Sequence, residues 1–364
     1  MDSYQTIIGL SRDAIDTPAL LIDLDALERN LRRMADFLAT APANLRPHTK
    51  THKTPIIARK QIEHGAKGIT CAKVGEAEVM VANGIDDVLI ANQVVGAAKI
   101  ARLMGLARHA NLTVAVDDSQ NVAQLSATAQ AMGATVGVLV EVNVGMNRCG
   151  VEPGDPALQL TRQVLEAKGL RYRGLMGYEG HTVAIPDRER REAECRKAMK
   201  LLLDTRSYVE AAGIPVEVVS AGGTGTYDIT GRIPGITEIE AGSYATMDAS
   251  YARLNLGFEI ALTLLATVIS RPARDRAILD AGYKSMTTEF GIPQPKNLPG
   301  ASISKMSEEH CRADVEDADL RPGDKVEIIP SHGCTTINLH DRFYGIRDGR
   351  VEAVWEISGR GKVR

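Results

Sequence analysis

Several things are scarce in this sequence, and each scarcity closes off a class of function. Aromatic residues make up only 4 % of the 364 positions and Trp355 is the single tryptophan. Stacking platforms for bases and a large aromatic interface are therefore poorly supplied. Charge of one sign is not in excess: 43 basic side chains stand against 46 acidic ones, a formal net charge of −3. A nucleic-acid binder neutralises phosphates with clustered surplus Lys and Arg, so nucleic acid is excluded as a partner. No apolar run approaches the roughly 20 residues that cross a bilayer, which excludes a membrane partner. The opening segment MDSYQTIIGLSRDAIDTP has neither a basic n-region nor an apolar h-region, so a cytoplasmic location is expected. Five cysteines (Cys71, Cys149, Cys195, Cys311 and Cys334) are scattered, odd in number and without a CxxC pair. That pattern argues for reduced thiols rather than a disulfide framework.

What is present is a repeated theme. Short β-branched runs at 45–50, 68–72, 87–92, 112–117, 136–143, 174–178, 216–221 and 237–241 alternate with Ala- and Leu-rich stretches at helical spacing. Continuous apolar strands separated by helices predict a parallel sheet, and eight such units predict an α/β fold of the (β/α)8 TIM-barrel type. After Tyr251 the texture changes to short strands such as IALTLLATVISRP, DKVEIIP and RVEAVWEIS, separated by Pro, Gly and Asp turns. These predict a C-terminal antiparallel β domain. The boundaries read as 16–250 for the barrel and 251–364, with 1–15, for the β domain.

Chemistry in such barrels sits at the C-terminal ends of the strands. The predicted strands end in His48-Thr49-Lys50, Asn92, Asp117, Tyr178 and the glycine-rich Gly222–Thr226, so polar groups collect on one rim. The segment GGTGT lets backbone amides approach an oxyanion closely, and Thr224 and Thr226 offer hydroxyl donors; after the seventh strand this reads as a phosphate cradle. It is neither a Walker loop nor a dinucleotide fingerprint. Lys50, at a strand end between His48 and His52, is a candidate amine nucleophile able to form a Schiff base. A lysine of that kind and a phosphate cradle on one rim imply pyridoxal 5'-phosphate.

The runs RPHTKTHKTP (46–55), EVNVGMNRCGV (141–151), GLMGYEGH (174–181), SAGGTGTY (220–227), EIEAGSYATMD (238–248), LDAGYKS (279–285) and PSHGCTTINLHD (330–341) closely resemble the D-threonine aldolase and D-serine dehydratase family. The resemblance spans nearly the whole chain in the expected order. It implies a fold-type III enzyme with an alanine-racemase-like barrel, pyridoxal phosphate, a divalent metal, a D-amino acid substrate and a homodimer. By the same resemblance Lys50 carries the cofactor, Arg148 sits beside its ring and phenolic oxygen, and Tyr178 borders it. Gly223, Thr224 and Gly225 form the phosphate cradle, and Tyr244 adds a hydroxyl. His332 and Cys334 match the metal pair, with Gly333 expected to let the backbone turn between them. Thiolate plus imidazole suits zinc better than manganese or magnesium.

Two outcomes follow from such a site. Removal of the 3-hydroxyl proton leads to Cα–Cβ cleavage, giving glycine and an aldehyde, as in the aldolases. Removal of the α-proton by Lys50 leads to loss of the 3-hydroxyl, giving a keto acid and ammonia, as in the dehydratases. The sequence departs from the aldolase pattern at Cys334, where many aldolases have a metal carboxylate, and at Ala184, where they have a histidine. His181 is nearby and is the candidate to replace it. D-Threonine-type aldol cleavage is the leading reading. D-Serine, D-threonine or D-3-hydroxyaspartate dehydration is the alternative, and racemisation, with Tyr283 or Tyr344 as second base, is a lower one that would leave His332 and Cys334 without a task.

Overall fold

The computed structural model describes residues 5–315 and 318–364, and two sheets organise them. The first strand, β1 (Ala19–Asp23), belongs to the second, mostly antiparallel sheet. The next eight strands are β2 (Asn44–Leu45), β3 (Ile69–Cys71), β4 (Asp87–Gln93), β5 (Asn111–Val116), β6 (Val136–Glu141), β7 (Leu170–Gly177), β8 (Val218–Ala221) and β9 (Glu238–Ile239). They lie in the order β2-β9-β8-β7-β6-β5-β4-β3, all parallel. The two ends of this order meet: His48 bridges Thr70 in parallel, with Thr49 N–H on Thr70 O at 2.8 Å and Thr70 N–H on Pro47 O at 2.9 Å. The sheet thus closes on itself, and the eight-strand barrel expected from the sequence is present.

The strands read as continuous apolar runs because both faces are covered; all six residues of β6 are buried. Leu89, Ala115, Leu139 and Met176, one from each of β4 to β7, form an inner layer. The helices between them start where the sequence supplies caps. Asp118 accepts the Asn121 N–H ahead of Ser119–Met132, and Asp187 accepts the Arg190 N–H ahead of Arg188–Ala211. At the barrel floor Arg46 donates to Glu238 at 3.0 Å and to Asp87 at 2.8 Å, joining the starts of β9 and β4 to the end of β2.

The second sheet contains β1 and the strands β10 (Leu262–Ala273), β11 (Arg276–Leu279), β12 (Gln294–Pro295), β13 (Ala301–Met306), β14 (Cys311–Val315), β15 (Lys325–Ile329), β16 (Arg342–Arg347) and β17 (Arg350–Glu356). Among the described residues of this sheet only β1 and β16 pair in parallel. Ile15, Ala19, Leu21, Leu265 and Val351 form a buried cluster there. By contact the chain divides into a barrel unit, Met34–Lys50, Pro55–Gly242 and Lys362–Arg364, and a second unit made of the described residues up to Arg33, Thr51–Thr54 and Ser243–Gly361. The second unit takes in the described N-terminal residues up to Arg33, where β1 finds its partners in β10 and β16. Among the described residues no helix is long and apolar enough to cross a membrane.

Candidate active site

The barrel strands end in the residues that the sequence singled out. Past β2 the chain turns at Thr49–Lys50, leaving Lys50 half-buried. Its Nζ lies 5.8 Å from the centre of the Tyr178 ring, which follows β7. Arg148 approaches the same ring, its Cζ 5.5 Å from the centre. The loop that carries Arg148 is fastened at its base: Asn143 N–H donates to Val151 O, Val151 N–H to Glu141 O, and Gly150 N–H to the Asp117 carboxylate at 2.9 Å. A cation over an aromatic ring is favoured by the ring quadrupole, and the two contacts gather Lys50, Arg148 and Tyr178 on one rim.

The GGTGT turn after β8 completes this rim. Gly222 has φ +80°, where a side chain would be strained. A Cβ on Gly225 would sit 1.9 Å from Val183 O, and one on Gly223 would sit 3.3 Å from the Tyr178 ring. The two glycines thus let the turn pack closely, Gly225 on Val183 and Gly223 on Tyr178, and the Gly223 N–H donates to Thr226 Oγ1 at 3.3 Å. One expectation changes here. Thr226 is fully buried and its hydroxyl donates to Glu179 at 2.6 Å, so its single proton is directed away from any phosphate. Glu179, absent from the sequence-derived candidates, also accepts the Gly222 N–H at 3.0 Å.

Two more carboxylates lie in the barrel mouth. Glu240, just past β9, accepts from Ser220 Oγ at 2.9 Å. Burial first, and the Glu238 and Glu141 charges after it, push its pKa up to about 8 against the pull of Ser220 and Lys50. Burial likewise raises Glu141, with the Gln93 hydrogen bond and Arg148 opposing. His181 stands exposed on the turn after Tyr178, its ring 3.4 Å from where a side chain on Gly145 would begin. Ala184 is exposed on the same loop.

Tyr244 belongs to the second unit, where its ring is buried and packs on Phe258 with centres 5.5 Å apart. The same unit holds the proposed metal pair. His332 caps the short helix Gly333–Ile337, which contains Cys334. Gly333 opens this helix, and its N–H donates to Asp248 Oδ2 at 2.9 Å. His332 Nδ1 bonds the same oxygen at 2.9 Å. The second Asp248 oxygen accepts Ser250 Oγ and the Tyr251 N–H. Cys334 Sγ donates toward Thr51 Oγ1 at 3.4 Å. Burial works against a charged His332, but the Asp248 bond and then the Cys334 sulfur outweigh it and push its pKa up to about 10. An imidazole fixed through one nitrogen by a carboxylate, with a thiol beside it, is a donor set that fits zinc. Among the described residues no group of three or more His, Cys, Asp and Glu side chains is gathered at metal-holding distances.

Comparisons with known proteins show the family to which the chain belongs. The family model "Alanine racemase, N-terminal domain" matches residues 22–249, and "Putative serine dehydratase domain" matches residues 261–346. A D-threonine aldolase from Arthrobacter sp. is 42 % identical over 353 residues, covering 95 % of this chain and 93 % of that one. The crystal structure of D-threonine aldolase from Filomicrobium marinum superposes with a TM-score of 0.95 at 42 % identity, covering 98 % of this chain and 99 % of the other. A D-threo-3-hydroxyaspartate dehydratase, solved as a cysteine-to-alanine variant in the metal-free form, has a TM-score of 0.87 at 29 % identity, covering 95 % and 98 %. This chain therefore belongs to the fold-type III pyridoxal-phosphate family in which an alanine racemase N-terminal domain is joined to a serine dehydratase domain.

Proposed function

We propose that this chain is a pyridoxal-phosphate- and divalent-metal-dependent lyase that cleaves D-3-hydroxy-α-amino acids of the D-threonine type to glycine and an aldehyde. The observation that carries the reading is the convergence of Lys50, Arg148, Tyr178 and the Gly223–Gly225 turn on one rim. When bound, the cofactor offers an electron sink at the substrate α-carbon and the metal a Lewis-acid contact for the 3-oxygen. Gly223, Thr224 and Gly225 hold the phosphate, the Lys50 amine anchors the cofactor, and Tyr178 and Arg148 orient its ring. His332 and Cys334 hold the ion, zinc on ligand chemistry rather than manganese or magnesium. His181 takes the 3-hydroxyl proton, which commits the substrate to Cα–Cβ cleavage. The protein works in the cytoplasm as a homodimer.

A second reading, dehydration to a keto acid and ammonia, is favoured by one residue, the thiol ligand Cys334, in place of a carboxylate. Under that reading Lys50 takes the α-proton. Incubation with D-threonine and with D-serine decides between them. Glycine with acetaldehyde supports the aldolase, keto acid with ammonia supports the dehydratase, and an L-enantiomer refutes both.

A further inference from the structure

Tyr178 and Glu179 follow β7 as neighbours, and their side chains part. Tyr178 lies against Gly223, whereas Glu179 is 0 % exposed, enclosed by the GGTGT turn, the short helix Tyr227–Thr230 and the helix Arg188–Ala211. Its Oε2 accepts the Gly222 N–H at 3.0 Å; its Oε1 accepts Thr226 Oγ1 at 2.6 Å and Thr230 Oγ1 at 2.7 Å. Cys195 Sγ stands 3.8 Å from the same Oε1. Burying a carboxylate costs several kcal/mol unless donors replace its water, so an apolar residue would fill this space at lower cost. What an apolar residue cannot do is hold both ends of the turn at once, Gly222 before it and Thr226 and Thr230 after it.

We infer that Glu179 is a positioning residue for phosphate binding. By gripping the turn from behind it fixes the backbone of Gly223–Gly225 in the one conformation that accepts a phosphate monoester. It also draws the Thr226 hydroxyl away from the phosphate, so selectivity rests on the turn's backbone rather than on that side chain. The inference rests on the pyridoxal-phosphate reading and adds a residue to it.

The test uses cofactor-free full-length protein and two ligands that do not react with Lys50, pyridoxine 5'-phosphate and pyridoxine, titrated by fluorescence or calorimetry. Wild-type protein should prefer the phosphorylated form strongly. Glu179→Gln keeps an acceptor for the two hydroxyls but sets an NH2 group against the Gly222 N–H. It should weaken pyridoxine 5'-phosphate binding about 10- to 100-fold, the scale of a displacement near 1 Å, and leave pyridoxine unchanged. Thr230→Val removes one grip in a residue of the same shape and should lower the same preference by a smaller factor; it carries the test if Glu179→Gln does not fold. An unchanged preference in the folded variants, or equal weakening of both ligands, overturns the inference while leaving the cofactor reading intact. Wild-type protein that binds the two ligands alike overturns the cradle reading itself, and the inference with it.

Discussion

Replacing Glu240 by Gln should reverse part of the protein's pH dependence of stability. The carboxyl keeps some accessible surface yet lies deep in the barrel mouth. Burial, Glu238 and Glu141 disfavour its charge, Ser220 and Lys50 favour it, and the balance is a pKa raised from 4.5 to about 8. Between those two values the folded chain holds a proton that the unfolded chain has released. Its contribution to stability is therefore complete below pH 4.5 and is lost as pH rises to 8. One proton corresponds to about 1.4 kcal/mol per pH unit, so the wild type should lose about 4 kcal/mol from this group between pH 5 and pH 8. Gln cannot ionise and still accepts from Ser220, so the variant should lack that slope and be the more stable protein at pH 8.5. Urea unfolding of cofactor-free protein across this range, with proton release on unfolding followed by potentiometry, reads the effect directly. Near pH 6.5 the wild type should release about one proton more than the variant. Equal proton release and parallel stability curves would show that the carboxyl is ionised in the fold, and the burial argument would fail.

Three other perturbations separate the parts of the site. Gly225→Ala places a methyl group 1.9 Å from Val183 O, so the turn must shift; cofactor affinity should fall about 100-fold, and tight binding measured by equilibrium dialysis would contradict the cradle. Arg46→Ala strips the shared partner from Glu238 and Asp87, of which Glu238 is 10 % exposed at its side chain. Unfolding by urea should show a loss of about 3–5 kcal/mol, with a loss below about 1 kcal/mol counting against the floor cluster. Cys334→Ala should come through dialysis without the zinc that wild type retains, and equal metal content in the two proteins would remove Cys334 from the ligand set.

The barrel was legible because each of its strands announces itself locally. A run such as Val136–Glu141 is buried on both faces and must be apolar throughout, whatever its neighbours are. β1, Ala19–Asp23, is also a buried apolar run, but it pairs with Leu262–Leu265 and with Phe343–Ile346, segments far along the chain, so its own residues do not say which sheet it joins. The same division runs through the site. Lys50 and the glycine turn are visible because their own chemistry, an amine and a missing Cβ, would face a ligand, whereas Arg148 and Tyr178 take their roles from the family resemblance. Glu179 and Asp248 work at one remove. Each spends its oxygens on groups far along the chain, Gly222 and Thr226 for the first and His332 and Gly333 for the second. In sequence each is one acidic residue inside a run that resembles the family, and acidic residues are mostly solvated. Only the fold removes the water and supplies the donors. A buried carboxylate without its donors costs several kcal/mol, so the two residues tie the ligand-facing turns to correct folding. A chain that misplaces either turn also strands a charge.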